Sequence, residues 1–335
     1  MTLTRRFKTA LAITALGAAW VVRRGAAVRS ALGNVPAELR TPALPFLTQN
    51  VTPRSLPVNR LVFRVPGRPG PGVRVDKAVV PGHPPVPVLV TRPTPTARSP
   101  RAAVLHLHAG GTIMGSPQIE APLSGQLARE LDAVVISPRY RLAPEHPFPA
   151  ALDDCMAVLR WIHLNADELG VDPGRVALAG ASAGGGLSAA VAQRAHDEGI
   201  EVRAQGLVYP MLDDRTTLRG GHGDRGRFVW TPQSNVFGWT AYLGRPPRLT
   251  DAPEYAVPAR RTDLAGLAPA WVGVGDLDLF YDEAVAYARA LEAAGVPCEL
   301  VTVPGMYHGA DVMAATAPTM REFRRGLVEH LRKYL

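Results

Sequence analysis

Between residues 102 and 303 the chain alternates short, unbroken apolar runs with longer stretches in which apolar residues return every three to four positions. The short runs suit strands buried on both faces and the longer ones amphipathic helices, so the pattern predicts an α/β protein with a mostly parallel sheet flanked by helices. The expected strands are Val73–Val80, Val86–Thr91, Ala102–His108, Ala133–Ser137, Val176–Ala179, Gln205–Tyr209, Ala270–Gly275 and Glu299–Val303. Helices are expected at about 118–130, 150–166, 184–196 and 282–294, with a last one from about Val312. The first two strands are joined by Pro81-Gly82-His83-Pro84-Pro85 and read as an antiparallel pair.

Two stretches break this rhythm. Residues 34–72 are dense in proline and glycine, so residues 1–72 are expected to form an arm and residues 73–335 the main α/β domain. The insertion from Pro210 to about Pro258 is long for a loop and carries Phe228, Trp230, Phe237, Trp239 and Tyr242. A segment so rich in aromatics has to cover something apolar, and a helical cap built from the arm and this insertion is expected.

Composition is that of a globular protein, with 47% hydrophobic and 20% charged residues. The net charge of +8 is uneven: residues 1–101 hold sixteen Lys/Arg against two acids, and residues 102–335 hold twenty-one against twenty-seven. With no aromatic-interleaved basic stripe, nucleic acid is not an expected partner, and arginine excess in an Ala/Gly/Pro-rich chain reads as codon usage. Arg5-Arg6-Phe7-Lys8, the apolar run Ala10–Val22 and Arg23-Arg24 suit a helix that packs on the protein or lies in a membrane interface, and the run is too short for an ordinary bilayer span. A cytoplasmic protein with residues 1–24 retained, and with peripheral membrane contact through residues 5–24, is therefore expected. Cys155 and Cys298 lack metal or redox spacing and are expected as buried reduced thiols. A homodimer is kept open.

The stretch Val176-Ala-Leu-Ala-Gly180-Ala-Ser182-Ala-Gly184-Gly-Gly joins a strand run to an alanine-rich helical run through a small-residue turn. Gly-x-Ser-x-Gly in that setting is a nucleophile elbow, which presents the serine hydroxyl on a strained turn before a helix N-terminus. Lys-Ser/Thr is missing after the glycines and Ser182 replaces a glycine of the dinucleotide fingerprint, so neither phosphate loop fits.

A serine needs a base, and the base an orienting acid, in the chain order Ser, acid, His. Of the later histidines, His196 and His330 fall on helices, where solvated surface positions are expected, and His222 lies in a polar loop. His308 follows a strand through Pro304-Gly305-Met306-Tyr307, at the end of the sheet where ligands collect. Asp276, Asp278, Asp282 and Glu283 all follow Ala270–Gly275; the last two suit the first turn of a helix, and spacing does not separate Asp276 from Asp278. His108-Ala109-Gly110-Gly111 ends another strand and brings backbone N–H donors close enough for an oxyanion. His106, one alternation earlier, is expected in packing.

From about residue 75 onward the chain resembles the hormone-sensitive-lipase-like (bacterial family IV) carboxylesterases of the α/β-hydrolase fold. The resemblance rests on His108-Ala-Gly-Gly-Thr-Ile-Met-Gly-Ser116, Tyr140-Arg-Leu-Ala-Pro-Glu-His-Pro-Phe-Pro-Ala150, Gly180-Ala-Ser-Ala-Gly-Gly185, Asp278-Leu-Phe-Tyr-Asp-Glu283 and Pro304-Gly-Met-Tyr-His-Gly309. It implies Ser182 as nucleophile, Asp278 as acid, His308 as base, and the N–H groups of Gly110, Gly111 and Ala183 as the oxyanion hole. Ala109 stands where the family has a first glycine, and Ala181 where it usually has an acid before the serine. The implied activity is hydrolysis of small-molecule esters through an acyl-enzyme, with no metal and no cofactor. The aromatic insertion adds an expectation of short- to medium-chain acyl groups, on the order of four to eight carbons. Amide, carbamate or lactone hydrolysis by the same residues is the alternative, as is a non-catalytic receptor, which the presence of His308 disfavours.

Overall fold

The computed structural model describes residues 28–63, 65–95 and 100–335. Eight strands form one sheet: β1 (Val73–Val80), β2 (Val86–Pro93), β3 (Arg101–Leu107), β4 (Val134–Pro138), β5 (Val171–Ala181), β6 (Ala204–Val208), β7 (Ala270–Gly275) and β8 (Cys298–Val303). Their spatial order is β1-β2-β4-β3-β5-β6-β7-β8. β1 and β2 run antiparallel to their neighbours, Val80 facing Val86 across the turn, and all later pairs are parallel. Every residue of β3, β4, β6 and β7 is buried, as unbroken apolar runs between two helical layers require.

The α-helices after residue 55 are α1 (Leu56–Val62), α2 (Ala121–Leu131), α3 (Ala150–Leu164), the single turn α4 (Ala166–Leu169), α5 (Ala183–Asp197), α6 (Pro232–Leu243), α7 (Tyr281–Ala293), the single turn α8 (Ala310–Met313) and α9 (Pro318–Tyr334). One core cluster combines β3 and β5 with α3 and α5, and includes Trp239 and Tyr242 of α6. A second combines β6 and β7 with α7 and α9. The chain therefore has the α/β-hydrolase architecture of a mostly parallel sheet between helical layers.

Several boundaries differ from those expected. β5 is longer at both ends, because Val171 already pairs with Arg101 and because the strand runs on through Gly180 and Ala181, paired with Leu207 and Val208. α2 starts three residues late, at Ala121. The C-terminal helix from Val312 is in fact two: α8 ends at Met313, and Pro318 in the first turn of α9 starts a new helix because it has no N–H to extend an old one. His330 is a correction, since it is buried on the inner side of α9, with Nδ1 3.7 Å from Glu299 Oε2. His196 is exposed on α5, as expected. Both cysteines are free, but Cys298 is only half-buried, on an edge strand. Residues 5–24 lie outside the described residues. Among those described, no helix is long and apolar enough to cross a membrane and no group of three His, Cys, Asp or Glu could hold a metal ion.

Candidate active site

β5 ends at Ala181 and α5 begins at Ala183, which leaves Ser182 alone on the turn with φ 56° and ψ −120°. A serine held at positive φ costs about 1–3 kcal/mol, so surrounding contacts must impose it. The Ser182 N–H donates to Val208 O at 2.9 Å, and its carbonyl accepts the N–H groups of Gly186 at 2.9 Å and Met211 at 3.0 Å. Glycine at 184 is dictated by crowding: a Cβ there would lie 2.0 Å from Leu107 O.

His308 reaches the same place from the loop after β8, and Asp278 from the loop after β7. The Asp278 carboxylate can only accept, so His308 Nδ1, 2.8 Å from Asp278 Oδ2, carries the proton. That leaves Nε2 free to accept from the Ser182 hydroxyl at 3.0 Å. The other oxygen of Asp278 accepts the Phe280 N–H at 2.9 Å, and both Asp278 and His308 are buried. The imidazole is held by Tyr209, whose ring centroid is 4.7 Å away, and by the edge of Phe280 at 5.4 Å. Tyr209 is fixed in turn by donating to Asp311 at 2.6 Å. Asp276 takes no part in this chain, because its Oδ1 accepts the Gly305 N–H at 2.6 Å. Asp282 is exposed and paired with Arg225, and Glu283 is buried, accepting from the N–H groups of Leu212 at 2.7 Å and Asp213 at 3.2 Å.

The loop after β3 faces the elbow with its backbone. His108 Nδ1 donates to Ala109 O at 2.9 Å; since the Ala109–Gly110 peptide is planar and trans, fixing that carbonyl fixes the opposite direction of the Gly110 N–H. The His108 ring stacks on Tyr140 at 4.0 Å, and Tyr140 donates back to His108 O at 2.7 Å. Gly110 sits at φ 129°, where a Cβ would be 2.1 Å from Met114 O, so only glycine fits. Among the described residues no acceptor occupies the N–H groups of Gly110 and Gly111. Behind the loop the Ala109 N–H donates to Glu120 Oε1 at 2.6 Å, and Glu120 Oε2 is 3.4 Å from His106 Nε2. Burial raises the Glu120 carboxyl to about 8 and lowers His106 to about 4, so both are neutral at pH 7. His106 is in packing, as expected, with Nδ1 2.9 Å from Ser124 Oγ.

Beside the elbow lies a cavity of only about 10 Å³, with Thr112, Ala183, Leu187, Met211, Trp239 and Tyr242 among its walls. A wider hollow of about 540 Å³, walled in part by Arg60, Arg139 and Arg141, includes none of Ser182, Asp278 and His308. Phe228, Trp230, Trp239 and Tyr242 of the insertion are buried, and Phe237 is partly so.

The family model of the alpha/beta hydrolase fold matches residues 104–312. Carboxylesterase NlhH of Mycobacterium tuberculosis is 36% identical over 265 residues, covering 75% of this chain and 80% of that protein. This chain belongs to the hormone-sensitive-lipase-like carboxylesterases. Ethyl acetate hydrolase of Pseudomonas putida is 33% identical over 240 residues, covering 70% of this chain and 74% of that protein. Among solved structures, a bacterial heroin esterase superposes with a TM-score of 0.83 at 34% identity, covering 90% of this chain and 98% of that one. Membership accounts for the fold and for a serine ester hydrolase; the roles of individual side chains rest on the distances above.

Sequence reasoning missed Glu120, Tyr209 and Asp311, which support the site from behind. Each is a single polar residue whose partner lies outside its own element, 102 positions away for Tyr209 and Asp311 and 11 for Glu120 and Ala109, and periodicity carries no trace of such a pairing. Tyr140 opens the segment Tyr140–Ala150, whose sequence carries no trace of its stacking on His108.

Proposed function

We propose that the protein hydrolyses small carboxylic esters through an acyl-enzyme on Ser182. The observation that carries this reading is the unbroken path from Asp278 Oδ2 to His308 Nδ1 at 2.8 Å and from His308 Nε2 to Ser182 Oγ at 3.0 Å. Ser182 Oγ attacks the ester carbonyl as its proton passes to His308 Nε2, and Asp278 stabilises the imidazolium that forms. The carbonyl oxygen becomes an oxyanion held by the N–H groups of Gly110, Gly111 and Ala183, the last of which opens α5. His308 returns the proton to the departing alkoxide. Water then attacks the acyl-enzyme with His308 as base, which releases the acid and restores Ser182.

The acyl group is short. Only about 10 Å³ is open beside the elbow, room for about one water-sized group, with Trp239 and Tyr242 among its walls, so any acyl chain much longer than acetyl has to displace a wall residue. This lies at or below the lower end of the roughly four to eight carbons expected from the sequence. Ethyl acetate, which names one relative, is an ester of that size. The insertion from Pro210 to about Pro258 and the arm serve as the cap that excludes water from the acyl-enzyme. With two free cysteines and no disulfide among the described residues, a cytoplasmic setting fits.

The test is hydrolysis of p-nitrophenyl acetate by the parent and by Ser182→Ala. The parent is expected to give a p-nitrophenol burst and a mass gain of one acetyl group, and the variant to lose activity by several orders of magnitude with unchanged thermal unfolding. A folded variant that keeps more than a few per cent of the activity overturns the assignment.

A further inference from the structure

Helix α1 wears its apolar stripe on the outside. Val58, Leu61 and Val62, with Val65 in the turn that follows, have the i, i+3, i+4, i+7 spacing of a face that normally meets a core. Yet they are 66%, 64%, 62% and 66% exposed. The helix is not free to roll them inward, because its opposite face is fastened to the body. Leu56 is buried, and Arg60 donates from Nε to Ile113 O at 2.8 Å, from Nη2 to Ala143 O at 2.8 Å and from Nη1 to Glu145 at 2.6 Å. Just upstream, the Val51 N–H is held by Ser234 Oγ at 2.8 Å.

The segment that carries this face is cationic in sequence. From residue 39 to residue 75 the sequence has six arginines and no acid. Arg54 and Arg68, on either side of the helix, are exposed and have no carboxylate partner among the described residues. A second copy of the chain would bring the same arginines against one another, whereas an anionic lipid surface takes up the aliphatic side chains and the guanidinium groups together.

We propose that α1 docks the protein on anionic bilayers, with Val58, Leu61, Val62 and Val65 entering the headgroup–acyl boundary and Arg54 and Arg68 lying at the phosphate level. This surface is distinct in sequence from residues 5–24 and holds the arm of the cap against the membrane, where apolar esters concentrate.

The experiment is co-sedimentation of the full chain with vesicles of phosphatidylcholine alone or mixed with phosphatidylglycerol, alongside light scattering without lipid. The parent is expected to sediment with the mixed vesicles, and less as salt rises. Val58→Ser/Leu61→Ser/Val62→Ser is expected to lower the partition coefficient on the order of tenfold per side chain removed. Arg54→Glu/Arg68→Glu, which leaves the apolar face intact, is expected to weaken binding to the mixed vesicles about tenfold or more at an unchanged melting temperature. The proposal is overturned if the parent stays in solution with both vesicles, or if both variants sediment like the parent. It is equally overturned if Arg5→Glu/Arg6→Glu abolishes binding while the α1 variants keep it, or if the triple variant turns a parent dimer into a monomer and neither form binds vesicles.

Discussion

Asp276 and Asp278, two residues apart, hold different ends of the same loop: Asp278 Oδ2 lies 2.8 Å from His308 Nδ1, and Asp276 Oδ1 accepts the Gly305 N–H at 2.6 Å. In the proposed mechanism one orients the base and the other anchors the turn that presents it. Asp278→Asn is therefore expected to lower kcat by about 10⁴, because an amide N–H facing Nδ1 favours the wrong tautomer. Asp276→Asn keeps an acceptor for the Gly305 N–H and loses only its charge, and is expected to cost at most about a hundredfold. Steady-state kinetics on p-nitrophenyl acetate compares them, and a deeper loss at Asp276 would reverse the two roles.

Gly110 sits where no side chain is tolerated, at φ 129° with Met114 O crowding the Cβ position. Gly110→Ala is expected to turn the Ala109–Gly110 peptide and withdraw its N–H, lowering kcat about 10²–10³-fold with a smaller effect on KM. Unchanged kcat in the folded variant would remove Gly110 from the oxyanion hole.

Glu120 gives the protein a pH-dependent stability whose sign follows from its burial. Its carboxyl titrates near 8 in the folded chain and near its ordinary value of 4.5 when unfolded. Between those values the folded state holds the extra proton, so its contribution to stability is complete below about 4.5 and falls as pH rises to about 8. His106, lowered by burial from 6.5 to about 4, works in the opposite direction between those values, because there the unfolded state holds the extra proton. Glu120 is thus unopposed by His106 from about pH 6.5 to 8, with a slope of at most about 1.4 kcal/mol per pH unit. Glu120→Gln keeps an acceptor for the Ala109 N–H and cannot titrate. Thermal melts across pH 6.5–8 are expected to fall more steeply for the parent than for this variant, and parallel curves would contradict the assignment.

Trp239 closes the small cavity beside the elbow. Trp239→Ala is expected to destabilise the fold by about 3–5 kcal/mol and to open room for additional methylenes, each worth about 0.8 kcal/mol when buried. The ratio of kcat/KM for p-nitrophenyl hexanoate to that for the acetate should rise at least tenfold. An unchanged ratio would place the acyl chain elsewhere.

What the sequence determined by itself was whatever is local. Apolar runs bounded by glycine and proline set the strands, because a buried parallel strand needs nothing beyond its own side chains to be recognised. The elbow was legible for the same reason, since Gly180, Ser182 and Gly184 answer to a single tight turn. Even the order of Ser182, the acid cluster and His308 could be read, because each follows its own strand at the same end of the sheet. Tertiary structure decided what depends on pairs far apart in the chain. It brought Asp278 and not Asp276 to the imidazole, as the family resemblance implied but spacing alone did not separate, because Asp276 is taken up by the Gly305 N–H. It buried His330, whose position on a helix suggested solvent, and divided the last helix at Pro318. It also turned the apolar stripe of α1 outward, against the periodicity rule, because Arg60 fastens the opposite face to Ile113, Ala143 and Glu145. Periodicity reports that a helix has two faces; which of them meets the protein is set by long-range partners that a local pattern does not contain.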